Sequence, residues 1–145
     1  MPYDPMLVQP MREELTGIGI QELRTPEEVE VFMANRIGTA MLVVNSVCGC
    51  AAGQARPGVR LALENANKPD RVATVFAGQD VDATVRARGY FSQFPPSSPS
   101  IALFKDGELV HFVPRHAIEG RDALSLANNL VEAFNRYFAT ARARG

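Results

Sequence analysis

Residues 40–51 read Ala40-Met41-Leu42-Val43-Val44-Asn45-Ser46-Val47-Cys48-Gly49-Cys50-Ala51, and this stretch decides the fold. Its first part, residues 40–45, is apolar without alternation, which predicts a strand covered on both faces of a parallel sheet. A helix-prone segment over residues 51–65 follows the second cysteine. The stretch therefore predicts a buried strand that leads into a helix, with two thiols at the junction.

Cys48 and Cys50 are the only cysteines of the chain, and Gly49 separates them. Residues i and i+2 face the same way in a strand and point about 200° apart in a helix, so a turn suits a bond between them best. Gly49 supplies the backbone freedom that such a turn needs. We therefore expect Cys48 just before the helix and Cys50 in its first turn.

A helix start favours a thiolate, because it offers free N–H groups and the positive end of the helix dipole. The thiolate is the nucleophilic form of cysteine, so a lowered pKa raises reactivity near neutral pH. By analogy with other dithiol sites, the first cysteine lies nearer the solvent. The sequence thus predicts Cys48 as the attacking thiol and Cys50 as the resolving thiol of a redox enzyme.

Three other roles for the cysteines stay open at this point. Both can be inert core residues of an interaction domain, because cysteine is often buried. A structural disulfide would close almost no loop and would stabilise little. Two thiolates could hold a soft ion such as Cu(I), whereas tetrahedral zinc needs four ligands, and His111 and His116 lie about sixty residues away.

The composition fits one soluble domain over residues 1–145, with residues 1–19 as an N-terminal helical extension. Of the 145 residues, 46% are hydrophobic and 21% are charged, and the net charge of −1 gives no case for a nucleic-acid or anionic-membrane partner. No stretch approaches the ~20 apolar residues of a membrane span, and the start does not resemble a signal peptide. We therefore expect a cytoplasmic protein, where a close cysteine pair is typically catalytic or metal-binding.

Periodicity and capping signals predict the remaining elements. Thr25 followed by Pro26 and two glutamates is a strong helix start, and Asp106-Gly107 is a hairpin signal. Helices are predicted at 5–17, 26–35, 50–66, 81–88 and 120–138, and strands at 20–23, 40–45, 72–77, 101–104 and 109–113. No internal repeat or second domain is evident.

After the N-terminal helix, the predicted elements follow the order β-α-β-α-β-α-β-β-α, and the dithiol lies at the start of the second of these helices. This order resembles the thioredoxin fold. That resemblance implies an α/β domain with a central mixed sheet of four to five strands flanked by helices, and here with an extra N-terminal helix. Thioredoxin-like proteins also keep a cis proline before the third core strand, beside the dithiol. Pro99 occupies that place, so Ser98–Pro99 is the expected cis bond.

Five segments resemble the bacilliredoxin family more closely than the fold alone requires. They are Asn45-Ser46-Val47-Cys48-Gly49-Cys50-Ala51-Ala52-Gly53, Pro10 to Thr16, Ala77 to Asp80, Pro95 to Ser100, and Val110 to His116. The resemblance implies a cytoplasmic thiol–disulfide oxidoreductase that removes bacillithiol from mixed disulfides on client proteins, and disulfide isomerase-like activity is also attributed to the family. It implies no bound cofactor, only a low-molecular-weight thiol as co-substrate.

Residues around the thiols complete the predicted site. Asn45 and Ser46 are placed to donate hydrogen bonds to a thiolate or to cap the helix. Ser98 and Pro99 are expected to present backbone groups to an extended client, as in strand addition.

Two pairs of basic residues have more than one interpretation. Arg56 and Arg60, on the dithiol helix, could attract an anionic thiol, although a solvated helix face is the commoner reason for such residues. His111 and His116 could transfer protons, although a surface or cross-strand position is the commoner reason for such histidines.

Overall fold

The computed structural model describes residues 2–138, so residue 1 and residues 139–145 of the predicted domain lie outside the described part. Five strands form one mixed sheet: β1 (Gln21–Glu22), β2 (Thr39–Asn45), β3 (Arg71–Phe76), β4 (Ser100–Lys105) and β5 (Glu108–Val113). The α-helices are α1 (Pro5–Thr16), α2 (Pro26–Ala34), α3 (Arg56–Ala62), α4 (Val81–Arg88), α5 (Arg115–Ile118) and α6 (Ala123–Tyr137). The predicted α/β class with an N-terminal helix is confirmed.

The strand order across the sheet is β1-β3-β2-β4-β5. Strand β3 pairs parallel with both β1 and β2, whereas β4 pairs antiparallel with both β2 and β5. The β4–β5 hairpin turns at Asp106 and Gly107, whose φ angles of 50° and 82° are those that favour Asp-Gly in a tight hairpin. The carboxyl end of β2, which leads to the cysteines, therefore lies at the centre of the sheet.

Strand β2 is buried along its whole length, as its unbroken apolar run predicts. Because side chains alternate along a strand, Met41 and Val43 pack into one core, whereas Leu42 and Val44 pack into the other. The first core includes residues of α1, α3 and α6, and the second includes residues of α2 and α4. This two-sided burial fixes the strand that leads to the dithiol.

Local capping signals place the helix starts. Asp4 accepts a hydrogen bond from the N–H of Met6, Thr25 from that of Glu28, and Asp122 from that of Ser125. Each bond satisfies an N–H that has no partner within the helix. Pro10 lies inside α1 without ending it.

The structure corrects several details of the predicted elements. A π-helical turn, Ala51–Ala55, precedes α3, and α3 ends at Ala62 rather than near residue 66. The short helix α5 was not predicted, and α6 begins at Ala123 rather than at Gly120. Leu124, an apolar residue in the first turn of α6, is 61% exposed.

Helix α1 packs beside the carboxyl ends of β2 and β3. Arg12, only 5% exposed, donates to both carboxylate oxygens of Asp80 at 2.6 and 3.0 Å and lies 3.5 Å from Glu22. Asp80 precedes α4, but its carboxylate binds Arg12 and makes no capping hydrogen bond to that helix. Among the described helices, none is long and apolar enough to cross a membrane.

Candidate active site

The two cysteines lie at the junction between β2 and the helical segment that follows it. Cys48 precedes the first helical turn and Cys50 lies within it, as predicted. Cys48 is half-buried, whereas only 9% of Cys50 is exposed, and both are free thiols. Their sulfur atoms lie 2.9 Å apart. The two thiols are therefore placed to react with each other, and the first is the one that a substrate can reach.

The environments of the two thiols push their pKa values in opposite directions. Burial alone raises the pKa of Cys48, but hydrogen bonds from the Cys50 thiol, the Ser46 hydroxyl and the backbone N–H groups of Ala51 and Cys50 together lower it below its ordinary value. Burial, and then the neighbouring Cys48, raise the pKa of Cys50. Cys48 is consequently the thiol that ionises more readily, and Cys50 is the one that retains its proton more readily.

The hydroxyl of Ser46 contacts both the sulfur and the backbone N–H of Cys48. The hydroxyl donates to the Cys48 Sγ at 3.1 Å and accepts from the Cys48 backbone N–H at 3.3 Å. Asn45 makes no such contact: its Oδ1 accepts from the Ser46 N–H at 2.9 Å, and its Nδ2 donates to the Met11 carbonyl in α1 at 3.2 Å. Of the two predicted donors, Ser46 contacts the Cys48 sulfur, whereas Asn45 contacts the Ser46 backbone and not the sulfur.

Arg56 is buried beneath this turn, so its predicted place on a solvated face is wrong. Only 3% of it is exposed, and Nη1 donates to Asn45 Oδ1 at 2.9 Å and to the Ser46 carbonyl at 2.8 Å. Its Nε donates to Glu14 of α1 at 3.1 Å. Burying a guanidinium is costly unless hydrogen bonds replace its water, and here the partners come from α1 and from the turn after β2. Arg56 thus holds the thiol-bearing turn and does not face incoming ligands.

The loop before β4 approaches the thiols from the other side. The Ser98–Pro99 bond is cis, as predicted, and the Ser98 carbonyl oxygen lies 4.0 Å from the Cys48 sulfur. Three groups fasten the neighbouring Ser97: Arg88 Nη2 and the Ser100 hydroxyl donate to its carbonyl at 3.2 and 3.1 Å, and the Arg115 N–H donates to its hydroxyl at 3.2 Å. The loop is therefore held in place beside the reactive sulfur.

Gly49, the spacer between the cysteines, is exposed.

Arg115 is a cation of the site to which the sequence assigned no role. Its Nη1 donates to the Ser98 carbonyl at 3.5 Å, and its Nη2 pairs with Glu119 at 3.1 Å. Glu119 and then the charges of Cys50 and Cys48 raise the pKa of Arg115, and Arg115 in turn opposes the rise in the pKa of Cys50. The only signal in the sequence was its place in the segment Val110 to His116, because the hairpin and α5 that bring it to the thiols are long-range features.

The other predicted basic residues lie elsewhere. Arg60 is exposed on α3, in keeping with a solvated face. His111 Nε2 lies 3.0 Å from Asn129 Oδ1 of α6, and His116 is exposed on α5 beside Arg115. Within residues 2–138, no three His, Cys, Asp or Glu side chains cluster in a way that could hold a metal ion.

Comparisons with known proteins find relatives that match nearly the whole chain. The family model described as "Disulphide isomerase" matches residues 3–138. A bacilliredoxin of Koribacter versatilis is 54% identical over 143 residues, which cover 98% of this chain and 99% of that protein. A bacilliredoxin of Cytophaga hutchinsonii is 58% identical over 128 residues, which cover 88% of this chain and 94% of that protein.

Solved structures show the same fold at low sequence identity. Fasciola hepatica thioredoxin matches with a TM-score of 0.56 and 22% identity, over 81% of this chain and 99% of that one. A reduced Schistosoma mansoni thioredoxin pre-protein matches with a TM-score of 0.53 and 16% identity, over 79% and 97% of the two chains. The predicted thioredoxin-like fold is confirmed.

Proposed function

This chain belongs to the bacilliredoxin family, and we propose that it reduces mixed disulfides between client proteins and bacillithiol, with Cys48 as nucleophile and Cys50 as resolving thiol. At the coarser level it is a thiol–disulfide oxidoreductase, as its relatives and fold establish. The observation that carries the finer proposal is the pair of sulfurs 2.9 Å apart whose pKa values are shifted in opposite directions.

In the first step, the Cys48 thiolate attacks the bacillithiol sulfur of the mixed disulfide. A new disulfide forms between Cys48 and bacillithiol, and the client sulfur leaves as a thiolate that takes a proton from water. The client is thereby reduced, and the modification moves to Cys48. The half-buried position of Cys48 and its lowered pKa support this assignment, because attack requires an accessible thiolate.

In the second step, Cys50 attacks the Cys48 sulfur. Once Cys48 is in a mixed disulfide, it carries no negative charge and no longer accepts a hydrogen bond from Cys50 as a thiolate would. The contribution of Cys48 to the raised pKa of Cys50 is then lost, and the pKa of Cys50 falls. Cys50 then loses its proton, the Cys48–Cys50 disulfide forms and bacillithiol leaves as a thiolate. A second low-molecular-weight thiol can replace Cys50 in this step.

Client binding is assigned to the exposed backbone around the thiols. The Ser98 carbonyl faces Cys48, and Pro99 fixes the loop that presents it, so an extended client segment has a backbone acceptor next to the attacking sulfur. Asn45, Ser46 and Gly49 shape the turn on the opposite side. The proposed partners are thiol-modified client proteins and a low-molecular-weight thiol, with no bound cofactor. The proposal places the reaction in the cytoplasm, because it needs a reducing thiol pool.

The test is to incubate the reduced protein with a bacillithiolated client and to follow release by mass spectrometry. Wild type should release bacillithiol, Cys48→Ser should release none, and Cys50→Ser should accumulate a bacillithiol adduct on Cys48. An active Cys48→Ser variant would overturn the assignment of the nucleophile. Absence of transfer by wild type, in the presence of thiols that alkylate normally, would overturn the proposed substrate.

A second candidate is disulfide isomerase activity with the same dithiol, which the description of the matching family model favours. Here the Cys48 thiolate would attack a client disulfide and depart when the client's own thiol displaces it, so no net oxidation occurs. Refolding of a protein with scrambled disulfides measures this activity. Isomerisation retained by Cys50→Ser, together with inactivity on bacillithiolated clients, would favour the second candidate over the first.

A further inference from the structure

A groove of about 430 Å³ opens between the loop before β4 and helix α5. Residues 94–97 line one side, and Pro114, Arg115, His116 and Glu119 line the other. The two-step reaction proposed above uses none of these side chains. The groove therefore needs an explanation of its own.

Arg115, which lines the groove, lies close to the reacting sulfur. One carbonyl oxygen, that of Ser98, lies 4.0 Å from the Cys48 sulfur and 3.5 Å from the Arg115 guanidinium. The sulfur and the cation therefore flank a single backbone group. When a low-molecular-weight thiol is joined to Cys48, its remaining atoms must lie within a few bond lengths of this oxygen. The groove and its guanidinium are thus within reach of that adduct.

The charges along the groove favour an anionic group. Arg115 and His116 lie on its rim, and both are exposed. The one acid that lines it, Glu119, pairs with Arg115 across one helical turn, but both side chains are open to solvent, with 44% and 60% of them exposed. Exposed ion pairs of this kind are weak, so a ligand carboxylate can exchange with Glu119 at little cost. Guanidinium groups bind carboxylates in a forked, two-bond geometry that an ammonium does not match.

The opposite wall is apolar. Phe94, Pro95 and Pro96 supply rigid hydrophobic surface that excludes water from one side of a bound ligand. An apolar wall facing a cation fits a small organic acid better than a free inorganic anion. The backbone N–H of Arg115 is bonded to Ser97, so the two walls are joined beside the sulfur.

We propose that this groove binds the non-reacting part of a carboxylate-bearing low-molecular-weight thiol, and that Arg115 recognises its carboxylate. The inference rests on the proposed function and adds the substrate feature that the enzyme reads. During attack, the thiol's sulfur bonds to Cys48 as its bond to the client sulfur breaks and the client leaves as a thiolate, while the carboxylate of the thiol binds Arg115 in place of Glu119. Arg115 acts on binding of the substrate, and the electron transfer stays between the sulfurs.

The experiment compares two probes that differ in charge alone. One cysteine peptide is converted to mixed disulfides with 3-mercaptopropionate and with the neutral 3-mercaptopropionamide, and kcat/KM is measured for wild type, Arg115→Gln and Arg115→Lys. Wild type should favour the carboxylate probe by about two- to fivefold, the effect of one exposed ion pair. Arg115→Gln should remove that preference, and Arg115→Lys should keep part of it.

The ratio of the two probes separates recognition from a general effect on the thiols. Arg115 also influences Cys50, so its loss can slow both probes equally, and equal slowing with the preference intact would overturn the inference. The control is Arg121→Gln, an exposed arginine outside the lining residues of the groove, which should keep the preference.

Two further outcomes are informative. A third probe carries the amide thiol on a peptide with a glutamate beside its cysteine. A preference for that probe that depends on Arg115 would mean that the groove reads the client, and it would overturn the inference. Failure of wild type to cleave any probe would contradict the proposed function itself, which distinguishes that failure from a failure of Arg115 alone.

Discussion

Cys48 and Cys50 are chemically identical residues that the fold makes unlike. Cys48 accepts hydrogen bonds from a thiol, a hydroxyl and two backbone N–H groups, and these outweigh the effect of its burial on the pKa. Cys50 is the more enclosed of the two, and burial and then the neighbouring Cys48 raise its pKa. The difference in pKa between the two thiols therefore comes from hydrogen-bond donors and burial, which a sequence spacing of one residue does not reveal by itself.

The pH dependence of alkylation should report this asymmetry. Because the pKa of Cys48 is lowered, its reaction with iodoacetamide should increase with pH and level off at a lower pH than for a free cysteine, whose pKa is about 8.5. Cys50→Ala removes a donor to the thiolate, so its profile should move towards higher pH. Rates measured between about pH 5 and 10 check both statements. A Cys48 profile that coincides with that of free cysteine would contradict the hydrogen-bond account.

Ser46→Ala should weaken the thiolate directly. The hydroxyl lies 3.1 Å from the Cys48 sulfur, and a hydrogen bond to a charged group contributes about 1.5 kcal/mol or more, so the alkylation rate at pH 7 should fall by about tenfold. The pKa of Cys48 should rise in the same variant. The matched control is Ser92→Ala, because Ser92 is an exposed serine of the loop before β4. Equal rates for the two variants would show that Ser46 acts only as part of the turn.

Sequence reasoning was sound where the partners are neighbours in the chain. Ser46 lies two residues from Cys48, and its contact with the thiol follows from the turn that Gly49 allows. It was wrong for Arg56, whose burial depends on Glu14 in another helix, and it gave Arg115 no role. Arginine is usually solvated, and only the packed molecule shows which guanidinium has lost its water.

At the scale of elements, the strands and most helix starts could be predicted because their signals are local. Asp4, Thr25 and Asp122 each cap a helix with the bond that their side chain makes in any protein. The π-helical turn Ala51–Ala55 and the short α5 were missed. The π-helical turn follows Cys50 directly, and α5 contacts the loop beside Cys48. In such places tertiary contacts, rather than local propensity, determine the backbone conformation.

The packing of α3 against α6 depends on Gly58. A Cβ at this position would lie 2.8 Å from a Leu126 methyl carbon and 3.1 Å from the Ala123 carbonyl oxygen. Gly58→Ala should therefore lower the free energy of unfolding by about 1–3 kcal/mol, as overpacking does, despite the better helix propensity of alanine. Urea denaturation measures the change.

Gly53→Ala is the matched control for that substitution. A Cβ there meets nothing within 4 Å, and the residue is exposed on the same helical segment. Alanine should leave the stability unchanged or raise it by about 0.5–1 kcal/mol. If both variants lose the same amount, the close approach of α3 and α6 is not the cause.

At the scale of the whole molecule, α1 joins regions that are far apart in the chain. Arg12 reaches Asp80 in the segment after β3, Glu14 reaches Arg56 under the thiols, and the Met11 carbonyl accepts from Asn45 at the end of β2. The N-terminal helix is thus part of the support of the active site. Its contribution follows from buried polar contacts that involve residues up to 68 positions apart.

Arg12→Met should test this support. The variant leaves Asp80 and Glu22 without their buried cation, and loss of one partner of a buried pair costs about 3–5 kcal/mol. Urea denaturation should show a loss in that range, whereas Arg60→Met, at an exposed arginine, should change stability by about 0.5 kcal/mol or less. Adding Asp80→Asn to Arg12→Met should cost less than the sum of the single changes. Additive losses would show that the pair is not coupled.

The short distance between the two sulfurs also affects whether oxidation of Cys48 by peroxide is reversible. Peroxide converts a thiolate to sulfenic acid, and a second peroxide carries it to sulfinic acid, which ordinary thiols do not reverse. With Cys50 2.9 Å away, a sulfenic acid on Cys48 condenses with the neighbouring thiol, releases water and ends as a reducible disulfide. Because the five methionines also take up oxygen, the outcome is read from the masses of fragments that contain the two cysteines: those of wild type lose two hydrogens, and those of Cys50→Ser gain oxygen. Under the proposed mechanism, the resolving thiol would in this way also protect the attacking one from irreversible oxidation.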